Sequence, residues 1–331
     1  MRTIPLGTTG EQVSHLALGC MLMGTSTGPA ESHEILERYL AAGGAFLDTA
    51  DCYAWWTGPG ATGGESETLL GEWFARTGRR DEVFLATKGS AWVPDPQAVR
   101  AGRSTSDEQY VGAGADTLRH ALDGSLQRMG VDHVDLYYVH VDDLATPLEE
   151  TLEALAGLVA AGKTRYLGWS NVQTWRLERI RQLCDRYGWP APVALQQENS
   201  YLRRHPSQDN PSVVDAEQLR YLRAHHDLTL VSYSPILKGV YDNPAKAREH
   251  HVMNSYEGAD SDARIATVRR LAADLGITGN QLVLAWMLHQ NDPQRVVLIG
   301  PRTLEQYTEL KSAVDVKLDA ETLQQLDDAK A

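Results

Sequence analysis

Ala45-Phe46-Leu47-Asp48-Thr49-Ala50-Asp51-Cys52-Tyr53 is an apolar run that gives way to an acid and then, just beyond, to a phenol. It reads as a buried strand with chemistry at its carboxyl end. Two more runs end the same way: Val83-Phe84-Leu85-Ala86-Thr87 stops at Lys88, and Val134-Asp135-Leu136-Tyr137-Tyr138-Val139 stops at His140. Side by side, three such strands bring Asp48, Tyr53, Lys88 and His140 to one mouth. That is the makeup of an acid–base site for carbonyl chemistry.

Outward from these strands, short apolar runs alternate with longer amphipathic stretches from residue 16 to about residue 311. Strands are expected at 16–20, 45–48, 83–88, 134–139, 165–170, 193–197, 229–233 and 295–300. Helices are expected at 31–42, 65–76, 115–128, 148–161, 174–187, 213–226, 262–275 with 280–289, and 303–312. Thr146-Pro147 ahead of Leu148 marks a helix start, and Gly162 its stop. Eight parallel strands with crossover helices predict an α/β (β/α)8 TIM barrel, whose site lies at the carboxyl ends of the strands.

Turn residues flanked by β-prone ones over 3–13 predict a β-hairpin that caps the barrel's other end. Long βα loops at 54–64, 89–114, 201–212 and 234–261 are expected to form a substrate pocket. No linker or low-complexity run divides residues 1–331, which are expected to form a single domain.

The 331 residues carry 31 Lys and Arg against 44 Asp and Glu, a formal charge of -13. That balance works against nucleic acid or an anionic membrane as partner, so any anionic ligand needs a local basic site. The N-terminus lacks a hydrophobic signal core and no run is long enough to span a bilayer; a cytoplasmic location is the expectation. Cys20, Cys52 and Cys184 are too few and scattered for a disulfide framework or a zinc site. They are expected to be buried thiols, with Cys52 a small packing residue. His225-His226 and His250-His251 lack metal-ligand spacing, so no residue is assigned to a metal. No G-x-G-x-x-G fingerprint opens a helix after any expected strand, so a Rossmann cofactor site is not supported, and there is no G-x-S-x-G elbow.

A free phenol has a pKa of about 10 and is a sluggish proton donor at neutral pH. Lys88 can supply a cation that favours its phenolate, Asp48 can hold that ammonium, and His140 can orient a carbonyl oxygen.

Phe46 to Tyr53, Ala86-Thr87-Lys88-Gly89, Leu136-Tyr137-Tyr138-Val139-His140 and Arg165-Tyr166-Leu167-Gly168-Trp169-Ser170-Asn171 resemble, in order, the signatures of the aldo-keto reductases. The resemblance runs essentially end to end. It implies reduction of an aldehyde or ketone by NADPH, with Tyr53 as proton donor, Lys88 and Asp48 as its tuning pair and His140 as the orienting group. It further implies that Ser170, Asn171 and Gln196 hold the nicotinamide carboxamide and that Tyr233, followed by Ser234, stacks on the ring. Lys238 lies in the outline of the family's pyrophosphate-covering loop. In the run Val296 to Gln306, Gly300 and Arg302 correspond to a terminal phosphate motif at a helix N-terminus, with Arg302 on the 2′-phosphate and Gln306 near the adenine.

Trp55, Trp56 and Trp92 are expected to line the substrate opening, offering flat faces to an aromatic carbonyl or the apolar face of a keto sugar. The alternative reading is an NADPH-binding, redox-sensing regulatory subunit of the potassium-channel β type. The complete tetrad favours the enzyme.

Overall fold

The structure, a computed structural model, describes residues 1–208 and 210–330. Two short strands, β1 (Thr3–Pro5) and β2 (Gln12–Ser14), precede eight that form the barrel. These are β3 (Leu16–Gly19), β4 (Phe46–Asp48), β5 (Phe84–Gly89), β6 (Val134–Val139), β7 (Thr164–Ser170), β8 (Pro192–Glu198), β9 (Thr229–Tyr233) and β10 (Arg295–Ile299). All eight are parallel in chain order, and β10 pairs back onto β3, closing the (β/α)8 barrel that the apolar runs predict.

Such strands are buried on both faces, which is why they appear in the sequence as nearly continuous apolar runs. Alternate residues separate into two clusters. Phe46, Phe84, Leu136, Val231 and Val296 belong to one that fills the barrel, while Leu47, Leu85, Tyr137, Leu230 and Val297 pack with the helices.

The hairpin pairs Ile4 with Val13, and both join Leu6 in the interior cluster, so the hairpin plugs the barrel's amino-terminal end. Its turn needs glycine at position 7. Gly7 has φ 51°, and a Cβ there would lie 2.2 Å from the Asp227 carbonyl oxygen.

Each expected barrel helix is present, several with shifted ends. The stretch expected as 213–226 is helical only over Ala216–Ala224, because Asp215 caps it by accepting from the Gln218 N–H. Pro147 itself takes the cap position of Leu148–Ala160; the Thr146 hydroxyl instead donates to Asp143 Oδ2 at 2.6 Å. The long loops hold short helices that were not expected, Pro96–Arg100, Ser106–Gln109 and Lys246–Glu249. A further helix, Ala320–Asp328, is fixed by buried Leu326, whose carbonyl accepts from Tyr201 at 2.5 Å. Cys20, Cys52 and Cys184 are buried free thiols. Among the described residues no single helix is long and apolar enough to cross a membrane.

Candidate active site

The barrel ladder continues beyond its strands. The Asp51 N–H donates to the Lys88 carbonyl at 3.1 Å and the His140 N–H to the Gly89 carbonyl at 2.8 Å. These bonds set the three segments after β4, β5 and β6 side by side. Lys88 is fully buried, and its ammonium donates to Asp48 Oδ1 at 2.5 Å, the Thr49 carbonyl at 2.7 Å and the Tyr53 hydroxyl at 2.9 Å. An ammonium has three donors, and all three are used. The His140 ring stands edge-on to Tyr53, with centroids 5.5 Å apart. The tetrad expected from the strand ends therefore meets in space.

Its electrostatics differ from expectation in one respect. Although Lys88 touches the phenol, burial first and the Asp48 charge next push Tyr53 well above the ordinary tyrosine range. Lys88 does not make a phenolate here. The phenol stays protonated and can donate. Burial, reinforced by the Lys88 charge, holds His140 well below the usual imidazole value, so its ring is neutral.

The cofactor residues expected on β7, β8 and β9 join the same network. Gln196 Nε2 donates to Asp48 Oδ2 at 2.8 Å, which ties β8 to the tetrad. Asn171 Nδ2 donates to the His140 carbonyl at 2.8 Å and to Ser170 Oγ at 3.1 Å, while its Oδ1 accepts from the Tyr233 hydroxyl at 2.8 Å. Among the described residues, every non-glycine in the left-handed region follows a barrel strand at this end: Ala54, Ser90, Asn171, Ser234, Leu237 and Lys238. Strain of this kind persists only where surrounding structure enforces it, and it gathers at functional sites.

Further along the rim stand Lys238, Lys246 and Arg302, and among the described residues none of them is in an ion pair. Lys246 Nζ donates to the Lys238 carbonyl at 2.7 Å. Lys238 has an exposed side chain in a crowded rim; protein packed around it, then the charge of Arg302, lower its pKa. These three cations, in no ion pair among the described residues of a chain with net charge -13, make a local positive patch of the kind an anionic group needs. Gln306 folds back to accept from the Arg302 N–H at 2.9 Å, and exposed Gly300 has open space where a side chain would stand. Both remain at the rim beside Arg302.

Trp55 and Trp56 stand edge-to-face at 5.7 Å, and Trp56 lies 6.4 Å from the Tyr53 ring. Trp56 is 41% exposed, so its face is open at the mouth. Trp92 sits deeper in the wall, with the Arg128 guanidinium 5.8 Å over its ring and Gly63 against its edge. Trp55 and Trp92 pack with Tyr110 and Val141 on a small apolar cluster of Ala50, Cys52 and Ala91.

Three groups at the mouth, Asp51, Glu198 and Lys246, escaped the sequence reading, and Cys52 was expected only as a small packing residue. Buried Asp51 has an unpartnered Oδ1 and is pushed up to about 8, by burial first and by the Glu67 charge next. Cys52 Sγ lies 3.5 Å from His140 Nδ1, and an Asp51 carboxyl oxygen, Cys52 Sγ and a His140 ring nitrogen are within 4.8 Å of one another. Glu198 accepts from the Tyr256 hydroxyl at 2.7 Å; it follows Gln196 by two residues on β8, and that period-two spacing was its signal. Lys246 lay in a loop without readable periodicity.

The Aldo/keto reductase family matches residues 15–331. The uncharacterized oxidoreductase YrpG of Bacillus subtilis is 32% identical, over 98% of this chain and 94% of its own. The aldo-keto reductase yakc of Schizosaccharomyces pombe, whose name carries NADP(+), is 30% identical over 99% of this chain and 92% of its own. A thermostable aldo-keto reductase solved with the inhibitor epalrestat superposes with a TM-score of 0.73 at 26% identity, covering 99% of both chains. With the barrel, these matches over nearly its whole length mean that the chain belongs to the aldo/keto reductase family, a family of oxidoreductases.

Proposed function

We propose that the chain reduces an aldehyde or ketone to the alcohol with NADPH as cofactor. The observation that carries this reading is the hydrogen-bonded series Gln196–Asp48–Lys88–Tyr53, which links a nicotinamide-side residue to a phenolic donor through a buried ammonium. NADPH, when bound, supplies the hydride to the carbonyl carbon. Tyr53 and His140 receive the carbonyl oxygen: the neutral imidazole orients it, and the phenol gives up its proton as negative charge develops. Lys88 then faces a phenolate, whose charge the ammonium offsets; Asp48 keeps that ammonium in place.

For the cofactor, Ser170, Asn171 and Gln196 would hold the carboxamide and Tyr233 would stack on the ring. Ser234, Lys238, Gly300 and Arg302 would take the phosphates, with Gln306 beside the adenine. The NADP(+) in the name of the S. pombe relative agrees with that arrangement. Trp55 and Trp56 favour an aromatic carbonyl, since their faces exclude water and stack on flat groups.

The test is NADPH titration by fluorescence, followed by a panel of aldehydes, ketones and keto sugars monitored by loss of reduced nicotinamide. Micromolar binding with turnover of an aromatic carbonyl is expected. NADPH binding without turnover of any carbonyl would turn the reading toward a regulatory subunit, and absence of binding would reject both.

A further inference from the structure

The tetrad leaves one question of proton placement open at its fourth member. A neutral imidazole carries one N–H, and only the tautomer with that hydrogen facing the mouth can donate to a substrate oxygen. His140 Nδ1 has one partner among the described residues, Cys52 Sγ at 3.5 Å. His140 Nε2 has none, and it is not among the buried unpartnered atoms, so it opens toward solvent at the mouth. We propose that Cys52 positions His140 by donating its S–H to Nδ1, which fixes the Nε2–H tautomer and leaves that N–H as the donor to the carbonyl oxygen.

The direction of the bond follows from the chemistry of the pair. A thiol sulfur is a weak acceptor, so Nδ1–H pointing at Sγ gains little, whereas S–H pointing at a ring nitrogen lone pair meets a good acceptor. The thiol keeps its hydrogen because burial, then the Asp51 charge, push Cys52 well above its usual value. The ring is neutral because burial and Lys88 hold it low.

An Asp51 carboxyl oxygen, Cys52 Sγ and a His140 ring nitrogen lie within 4.8 Å of one another. Asp51 is pushed up to about 8, so at neutral pH it holds its own proton and does not draw a hydrogen onto the ring. The group in contact with Nδ1 is Cys52 Sγ. The charged groups felt by this pair are Asp51, Glu67 and Lys88, from the segments after β4 and β5 and the helix between them.

The inference rests on the carbonyl-reduction reading only for its effect on rate. Its direct test is nitrogen-15 NMR of histidine-labelled protein, with the His140 signals assigned by their loss in His140→Asn. Wild type and Cys52→Ser, which keeps a donor, are expected to show Nε2–H. Cys52→Val, which keeps volume without a donor, is expected to show a mixture of tautomers. For an aromatic carbonyl substrate, Cys52→Val should lose about fivefold in kcat/KM, the factor of one hydrogen bond of ordinary net strength, while Cys52→Ser restores it and NADPH affinity does not move. Nδ1–H in wild type overturns the proposal even if no variant folds. Pure Nε2–H in Cys52→Val, or equal loss of kcat/KM in Ser and Val, also overturns it. The expected tautomers in a protein that reduces no carbonyl would uphold the positioning and reject the catalytic reading instead.

Discussion

Tyr53 illustrates how much the behaviour of a proposed proton donor depends on burial. Its spacing from Asp48 and the strand ends at Lys88 and His140 made the tetrad legible, because parallel strands of one barrel finish at one face. The sign of its pKa shift was not legible, since burial outweighs the neighbouring ammonium and burial is a property of the fold. Cys52 was hidden for a related reason: a small apolar residue and a hydrogen-bond donor look alike until the ring it touches is in place. With the phenol held high and His140 held low, reduction is expected to run without an inflection near about 6.5, the usual imidazole value, and to decline only as pH rises beyond about 10. A pH profile of kcat/KM with an acid-side step near the imidazole value would contradict the neutral ring. Tyr53→Phe removes the donor and little else. Its kcat should fall by about a thousandfold, the scale of general acid catalysis, with an unchanged NADPH dissociation constant by fluorescence titration.

Among the elements, strands were the most legible, because most are short apolar runs, and those of β4, β5 and β6 are cut by a charged or polar residue at the carboxyl end. The short helices of the long loops depend instead on single caps. Thr105 and Glu108 form a reciprocal capping box whose spacing was visible in the sequence, but four residues carry no periodicity to support it. The terminal helix likewise rests on the Asp319 cap and on the burial of Leu326, whose carbonyl accepts from Tyr201. The hairpin plug makes a stability prediction: Gly7→Ala forces a left-handed alanine against the Asp227 carbonyl and should cost about 2 kcal/mol in urea unfolding. The segment after β4 makes another. Asp51 is raised to about 8 in the fold from about 4 unfolded, so its contribution to stability is full below pH about 4 and is lost as pH climbs toward about 8. Asp51→Asn cannot ionise, and its melting temperature should gain on wild type by several degrees between pH about 5 and pH about 8. A difference that shrinks over that interval would contradict the assignment.

At the scale of the whole molecule, the barrel gathers three cations that are in no ion pair among the described residues, Lys238, Lys246 and Arg302, onto the rim of a protein with net charge -13. Arg302 was legible from its motif; Lys246 was not, because it reaches the rim only through the fold of the segment after β9. The surrounding negative charge repels an anionic cofactor, and the local cations must outweigh it at short range, where salt screens them least if the phosphate is in contact. The 2′-phosphate is the difference between NADPH and NADH, and the Arg302 fork is the group suited to it. Arg302→Ala should therefore weaken NADPH by about tenfold or more, the worth of a charged hydrogen bond, and leave NADH nearly unchanged. Lys246→Ala should weaken both cofactors alike, because it would act where the pyrophosphate common to both lies. Fluorescence titrations of the two variants with the two cofactors separate the cases: a uniform loss in Arg302→Ala would move Arg302 away from the 2′-phosphate, and an NADPH-selective loss in Lys246→Ala would put the lysine there instead.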